Sequence, residues 1–178
     1  MDAAMEPALA DWFGERLPRS GMLDPSGLLV VAEELADRPD LWGDLVQHDD
    51  DRRVYVRIHR DDVVDAWLIC WSGAQETGLH DHDVSSGAVR IVSGGLVEDR
   101  LVMGEPGVVS TTHAAGAGFC FDASRIHDVR NGGRERSVSL HVYSPPLERM
   151  GYYEIAEDGC IARRNAPASE ELPPPVTV

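Results

Sequence analysis

Apolar and polar positions follow two rhythms along this chain, and the change comes near residue 48. Before it the rhythm is helical. Ala8 to Leu17 predicts a short helix stopped by Pro18. Leu28, Leu29, Val31, Ala32 and Leu35 then recur at helical spacing. Asp24 stands where an N-cap is needed, and Pro25 follows in the first turn, where its missing N–H breaks no hydrogen bond. Pro39 interrupts, and Leu41 to Val46 predicts one more short helix. After residue 48 the texture becomes short β-rich runs divided by Gly-rich or Asp-rich turns. Val54 to Arg57, Val63 to Trp71, Ala88 to Val92, Gly95 to Met103, Val108 to His113, Gly118 to Asp122 and Ser137 to Tyr143 are the candidate strands. Many short strands at regular spacing predict a sandwich or barrel. No helical pattern separates them, which argues against a parallel α/β sheet. No internal repeat is visible. The reading is a single domain: a helical segment over 1–48 packed on a β-barrel over 49–163. A poorly ordered tail over 164–178 follows, rich in Pro, Ser and Glu from Ala166 onward.

Length and charge narrow the classes. A chain of 178 residues suits one domain and can bury a sizeable core without staples. A net charge of -15 argues against a nucleic-acid partner and against docking on an anionic membrane. Three unclustered cysteines, Cys70, Cys120 and Cys160, do not look like a disulfide framework and fit a reducing cytoplasm. They read as small buried apolar residues. No signal peptide and no stretch of membrane-span length is visible, so the expected location is cytoplasmic.

The candidate chemistry lies in the histidines. Side chains alternate along a strand, so His80 and His82 can aim two imidazoles at one point. Ser139, His141 and Tyr143 can likewise aim three polar groups into one interior. The spacing Gly-x6-His-x-His-x4-Gly-x6-Gly runs from Gly73 through His80, His82 and Gly87 to Gly94. Later, Gly116 precedes His127, and His127-x3-Asn131 closes the set. These spacings resemble the two motifs of the cupin superfamily, which implies a double-stranded β-helix or jelly-roll barrel. Two departures stand out. The first cupin motif usually places a Glu where this chain has Gly87, and the second usually has Pro-x-Gly where this chain has Asp122-Ala123-Ser124. Without the Glu, three neutral imidazoles leave a divalent ion its full charge and open positions for substrate. Imidazole suits iron, zinc, copper and nickel alike, so the ligands alone do not select the metal.

A closer resemblance does select. Trp71-Ser72-Gly73, Leu79-His80-Asp81-His82-Asp83, Val92-Ser93-Gly94-Gly95-Leu96, Ile126-His127-Asp128-Val129 and Ser139 through Pro146 together resemble the cysteine dioxygenase type I family. The likeness covers about residues 50–155. It implies Fe(II) held by His80, His82 and His127, and oxidation of a small thiol, L-cysteine by preference, with O2 to the sulfinic acid. It implies that Tyr143 meets the bound oxygen or the substrate carboxylate, that His141 orients Tyr143, and that Ser139 orients His141. Spacing alone supports only the shared face. It implies further that Arg57, on the face of Tyr55, clamps the substrate carboxylate through a charge-assisted bond. Related enzymes preferring 3-mercaptopropionate carry glutamine there, so Arg57 tilts the reading to cysteine. Mammalian members crosslink their tyrosine to a cysteine at the position of Gly87. Bacterial members commonly have glycine, and Tyr143 is then expected unmodified. A cis bond before Pro145 is also implied.

Other readings stay open: a 3-mercaptopropionate or other thiol dioxygenase, a metal-binding cupin without turnover, or a zinc hydrolase or isomerase on the same histidines. Arg52, Arg53 and Arg60 read as surface ion-pair formers, and His48, His59 and His113 as surface residues. Trp67, Trp71 and the Tyr152-Tyr153 pair read as core or pocket wall. The oligomeric state is not legible.

Overall fold

The computed structural model describes residues 5–104, 107–133, 135–155 and 161–167. Two helices, α1 (Met5–Arg16) and α2 (Pro25–Ala36), precede two short 3-10 turns at Pro39–Leu41 and Gly43–Leu45. Asp24 caps α2: its carboxylate accepts from the Gly27 N–H at 2.7 Å. That bond also holds its carboxyl below the usual range. The segment expected as a third helix, Leu41 to Val46, forms only 3-10 turns; Trp42 donates its indole N–H to the Leu35 carbonyl at 2.9 Å.

The strands are β1 (Val54–Arg60), β2 (Asp65–Trp71), β3 (His80–Asp81), β4 (Ser86–Ser93), β5 (Gly95–Leu101), β6 (Val108–Ala114), β7 (Gly118–Phe121), β8 (His127–Asn131), β9 (Ser137–Ser144), β10 (Arg149–Ile155) and β11 (Ile161–Pro167). They form two sheets, ordered β1-β2-β9-β4-β7 and β11-β10-β3-β8-β5-β6, with antiparallel neighbours. This is the expected all-β barrel with N-terminal helices. The seven runs anticipated in the sequence are strands, and β3, β8, β10 and β11 join them. The barrel runs further than expected: β11 pairs with β10 through Pro167, opposite Arg149, so residues 164–167 are strand rather than tail. The rest of the expected tail lies outside the described residues, as does Cys160.

Strands β2 and β9 carry the architecture. Both are buried along their whole length, the signature of a strand covered on both faces. Their even-numbered residues, Ala66, Leu68, Cys70, Val138, Leu140 and Val142, pack outward beneath the helices with Leu28, Ala32 and Leu35. The odd-numbered Trp67, Ile69 and Trp71 point into the barrel with Val89, Ile91, Leu96, Phe121 and Val129. On β9 the inward row is Ser137, Ser139, His141 and Tyr143, all buried. A polar row inside an apolar barrel costs stability unless each group is bonded, and that contrast marks the site. Gly94 makes the tight β4–β5 turn: its φ is +71°, and a side chain there would meet Ser137 Oγ at 2.3 Å. Ser137 in turn accepts from the Gly95 N–H at 3.0 Å.

His59 and His113 are less exposed than their sequence context predicts. Each side chain is only 12% exposed, stacked on Phe13 and Phe119 respectively. His48 is half-buried. Cys70 is buried and Cys120 half-buried, both without disulfide. No helix among the described residues is long and apolar enough to cross a membrane.

Candidate metal centre

The six-stranded sheet brings the three histidines together. His80 on β3 lies directly opposite His127 on β8, and His82 follows one alternation along. Ring centroids are 4.8 Å apart for His80–His82 and His80–His127, and 5.3 Å for His82–His127. One nitrogen from each falls within 4.8 Å of the others, and all three residues are buried. Burial pushes His80 down to about 4 and holds His82 and His127 well below the usual histidine range. For His82 and His127 the neighbouring imidazoles act in the same direction. All three rings are therefore neutral at pH 7, the form that binds metal.

Their outer nitrogens differ. His80 Nδ1 donates to the Gly78 carbonyl at 2.8 Å, and His127 Nδ1 donates to Glu98 Oε1 at 2.8 Å. His82 Nδ1 is buried without a hydrogen-bond partner, and so is His127 Nε2. Buried nitrogens left unpaired are costly, and a divalent ion shared by the three rings answers that cost at His127 Nε2. The donor set fits such an ion. Asp81, between two of the ligands, is turned away from it. It accepts from Arg163 at 2.6 and 2.7 Å, from the Tyr153 hydroxyl and from the Asp83 N–H. Those donors hold its carboxyl far below the usual range against the effect of burial. Asn131 ties the loops behind β8, donating to the Gly73, Gly133 and Glu135 carbonyls and accepting from Ser137.

Opposite the histidines stands the inward row of β9. Trp71 Nε1 donates to Ser139 Oγ at 2.9 Å, Ser139 Oγ lies 2.8 Å from His141 Nε2, and His141 Nδ1 lies 3.2 Å from the Tyr143 hydroxyl. Indole N–H only donates, so Ser139 accepts there and cannot give its own proton back. Ser139 is fully buried, and His141 Nε2 is the acceptor within reach that keeps that proton paired. His141 then carries its proton on Nδ1 and gives it to the Tyr143 oxygen. The Tyr143 proton is left to face the cavity. Burial holds His141 neutral, pushed down to about 3, with Arg53 acting in the same sense. Burial also raises Tyr143 well above the usual phenol range, so it remains a donor. The Tyr143 ring stacks on His82 at 5.1 Å between centroids.

A cavity of roughly 490 Å³, counted with its mouth, joins these groups. Its walls hold the three histidines, His141, Tyr143, Tyr55 and Arg53, with Phe121, Met150 and Tyr152 among the rest. Arg57 is not on the wall. Its guanidinium lies 4.3 Å over the Trp67 ring and 3.1 Å from Asp65. The physical reason is Asp65, which is fully buried and draws Arg57 and Arg60 to itself. The arginine on the wall is Arg53, not the surface residue its context predicts. It lies two residues before Tyr55, donates to the Tyr55 hydroxyl and the Glu76 carbonyl, and sits 5.2 Å over Trp71. Alternation places Arg53, Tyr55 and Arg57 on one face alike, so face alone could not choose between the arginines. Glu98 was the other silent residue. Its signal was position: it follows inward-facing Leu96 by two on β5.

Gly87 faces Tyr143 across the β4–β9 ladder. A side chain there would meet Phe121 Cζ at 2.4 Å and Tyr143 Cδ1 at 3.0 Å. The ring of Phe121 thus fills the space beside the tyrosine. The Ser144–Pro145 bond is cis, as the resemblance implied.

Barrel, cavity and three converging histidines define a cupin with a buried metal site. One solved structure of similar fold is TT1209 from Thermus thermophilus (19% identity, 58% of this chain and 93% of that chain, TM-score 0.51). A second is an uncharacterised double-stranded β-helix protein from Klebsiella pneumoniae (15% identity, 68% and 91% covered, TM-score 0.50). A cupin superfamily protein from Desulfitobacterium hafniense is also similar (15% identity, 72% and 94%, TM-score 0.49). The sequence model of the family described as cysteine dioxygenase type I matches residues 23–155, and the chain belongs to that family. Family and site together make it a metal enzyme of the thiol-dioxygenase type.

Proposed function

We propose that this chain adds both atoms of O2 to the sulfur of a small thiol that carries a carboxylate, with L-cysteine favoured and Fe(II) as the metal. The balance is simple: thiol plus O2 gives sulfinic acid, with no further reductant. Iron, when bound at His80, His82 and His127, supplies the electron exchange that couples thiolate to dioxygen, and neutral imidazoles leave it room for both.

The protein's own groups do the rest. Arg53, held by Tyr55 and Glu76 at the cavity wall, receives the substrate carboxylate and fixes the end remote from sulfur. Tyr143 offers its proton to the reacting oxygen or to the carboxylate, and His141, Ser139 and Trp71 keep that proton aimed inward. Phe121, Val89, Met150 and Leu147 line the remaining wall and limit the water beside the sulfur. Prepaying this alignment lowers the entropic part of the barrier. The observation that carries the reading is the facing of two buried sets across one cavity, three converging neutral imidazoles, with His127 Nε2 unpaired, and a tyrosine held as donor. Arg53 would pair with the carboxylate that cysteine and 3-mercaptopropionate share, so the preference for cysteine rests on the family resemblance. Location in the cytoplasm fits a substrate kept reduced there.

The test is oxygen uptake by iron-loaded protein with cysteine, cysteamine and 3-mercaptopropionate, with sulfinate measured beside it. Cysteine should give the highest uptake, matched mole for mole by sulfinate. Absence of uptake with every thiol would end the dioxygenase reading and leave a metal-binding cupin without turnover.

A further inference from the structure

We propose that Glu98 is a positioning residue for the metal, acting through His127. The usual cupin places a carboxylate on the ion itself; this chain has Gly87 there, and Glu98 supplies a carboxylate one step further out. The inference rests on the three histidines holding a divalent ion.

The three ligands have three different supports. His80 leans on a neutral carbonyl, that of Gly78, and His82 has no hydrogen-bond partner at Nδ1. Only His127 donates to a carboxylate, at 2.8 Å. A carboxylate behind a ligating imidazole fixes its tautomer and raises its basicity at the metal-facing nitrogen. His127 Nε2 is that nitrogen, buried and unpaired. Glu98 is itself 2% exposed and fully engaged on its own side of the ring. Its Oε1 also accepts from Arg125 at 2.9 Å, while Oε2 faces His113 at 3.6 Å and Arg100 at 3.8 Å. Register explains the placement. Arg100 lies opposite His127 and Glu98 opposite Val129 on the β5–β8 ladder, so the Glu98 side chain reaches His127 diagonally. A buried acid with such partners has a structural alternative, simply to anchor Arg125. The hydrogen bond to a metal-facing imidazole distinguishes the two roles, because only one of them is felt at the ion.

The experiment measures Co(II) binding by visible absorption and by competition with a chelator, without reference to turnover. Glu98→Gln keeps the shape and an acceptor oxygen but removes the charge. Its affinity should fall about 10- to 100-fold, with a shifted ligand-field band. Arg125→Gln leaves the Glu98–His127 bond in place and should stay within about threefold of the parent. Near-UV circular dichroism of each metal-free variant checks the fold. If Glu98→Gln binds Co(II) as tightly as the parent, the proposal is overturned. If Arg125→Gln weakens binding equally, or Glu98→Gln does not fold, Glu98 is a structural anchor and the proposal is likewise overturned. If the parent itself does not take up Co(II), the metal reading fails first.

Discussion

Adding a single carbon at Gly87 tests how tightly Tyr143 is held. A Cβ there would lie 2.4 Å from Phe121 Cζ, 2.7 Å from Phe121 Cε2 and 3.0 Å from Tyr143 Cδ1. Such contacts cannot persist, so in Gly87→Ala a ring must move. Phe121 is 2% exposed, and its ring lies 4.8 Å from that of His82 and 4.9 Å from that of His127. It can retreat only toward the ligands or its apolar neighbours. Overpacking of this kind costs about 1–3 kcal/mol. At about 2–4 °C per kcal/mol for a chain of this size, the melting temperature should drop by roughly 2–12 °C. Thermal unfolding followed by circular dichroism reads it directly. Phe121→Leu removes the offending ring atoms. The double variant should therefore be less destabilised than the two singles added, by an interaction of about 0.5–3 kcal/mol. An unchanged melting temperature in Gly87→Ala, or strict additivity with Phe121→Leu, would refute the packing reasoning. Gly87→Cys meets the same obstruction and should form no thioether with Tyr143; an intact mass short by two hydrogen atoms would show otherwise.

Three further outcomes are expected. Arg53→Gln should raise KM for cysteine about tenfold to a hundredfold, from loss of a charged hydrogen bond of about 1.5–3 kcal/mol; KM for cysteamine, which lacks the carboxylate, should not move, and Arg57→Gln should alter neither. Ser139→Ala strands the Trp71 indole N–H and His141 Nε2 inside the barrel, costing about 1–3 kcal/mol in urea unfolding and lowering kcat more than it changes KM. Asp65 has its carboxyl pushed up to about 6, by burial acting against Arg57 and Arg60. The folded form thus holds this proton more tightly than the unfolded chain, and its contribution is present near pH 4 and lost as pH rises through about 6. The stability of the parent relative to Asp65→Asn should therefore fall between about pH 4 and pH 7, and a difference independent of pH would refute the assignment.

How much of this could be read in the sequence depended on what each residue's neighbours had to do. Strands β2 and β9 were legible because burial on two faces forces a continuous apolar run, and the polar break at Ser139, His141 and Tyr143 stood out against it. The ligand histidines were legible through their alternation and glycine spacing. Strand β11 was not, since its sequence Ile161-Ala162-Arg163-Arg164-Asn165-Ala166-Pro167 is almost wholly exposed and shows no alternation of apolar and polar residues. Besides its ladder with β10, it is held by Arg163 on Asp81, a contact across 82 positions that no local pattern can announce. Arg57 lies off the cavity wall for a related reason. Alternation fixes which face a side chain takes but not its depth along the barrel, and depth is set by a remote partner, here the buried carboxylate of Asp65. Glu98 was hidden in the same way, its meaning residing in a ring from another strand.

The two-faced burial of β9 has one more consequence. Val138, Leu140 and Val142 are gripped by the helices, and between them stand the residues assigned to chemistry. A shift of β9 by one position would turn greasy side chains toward the histidines and push a serine, an imidazole and a phenol under the helices. Both errors are ruinous. The helical layer, which touches no substrate, thereby acts as the gauge that keeps the reactive row in step.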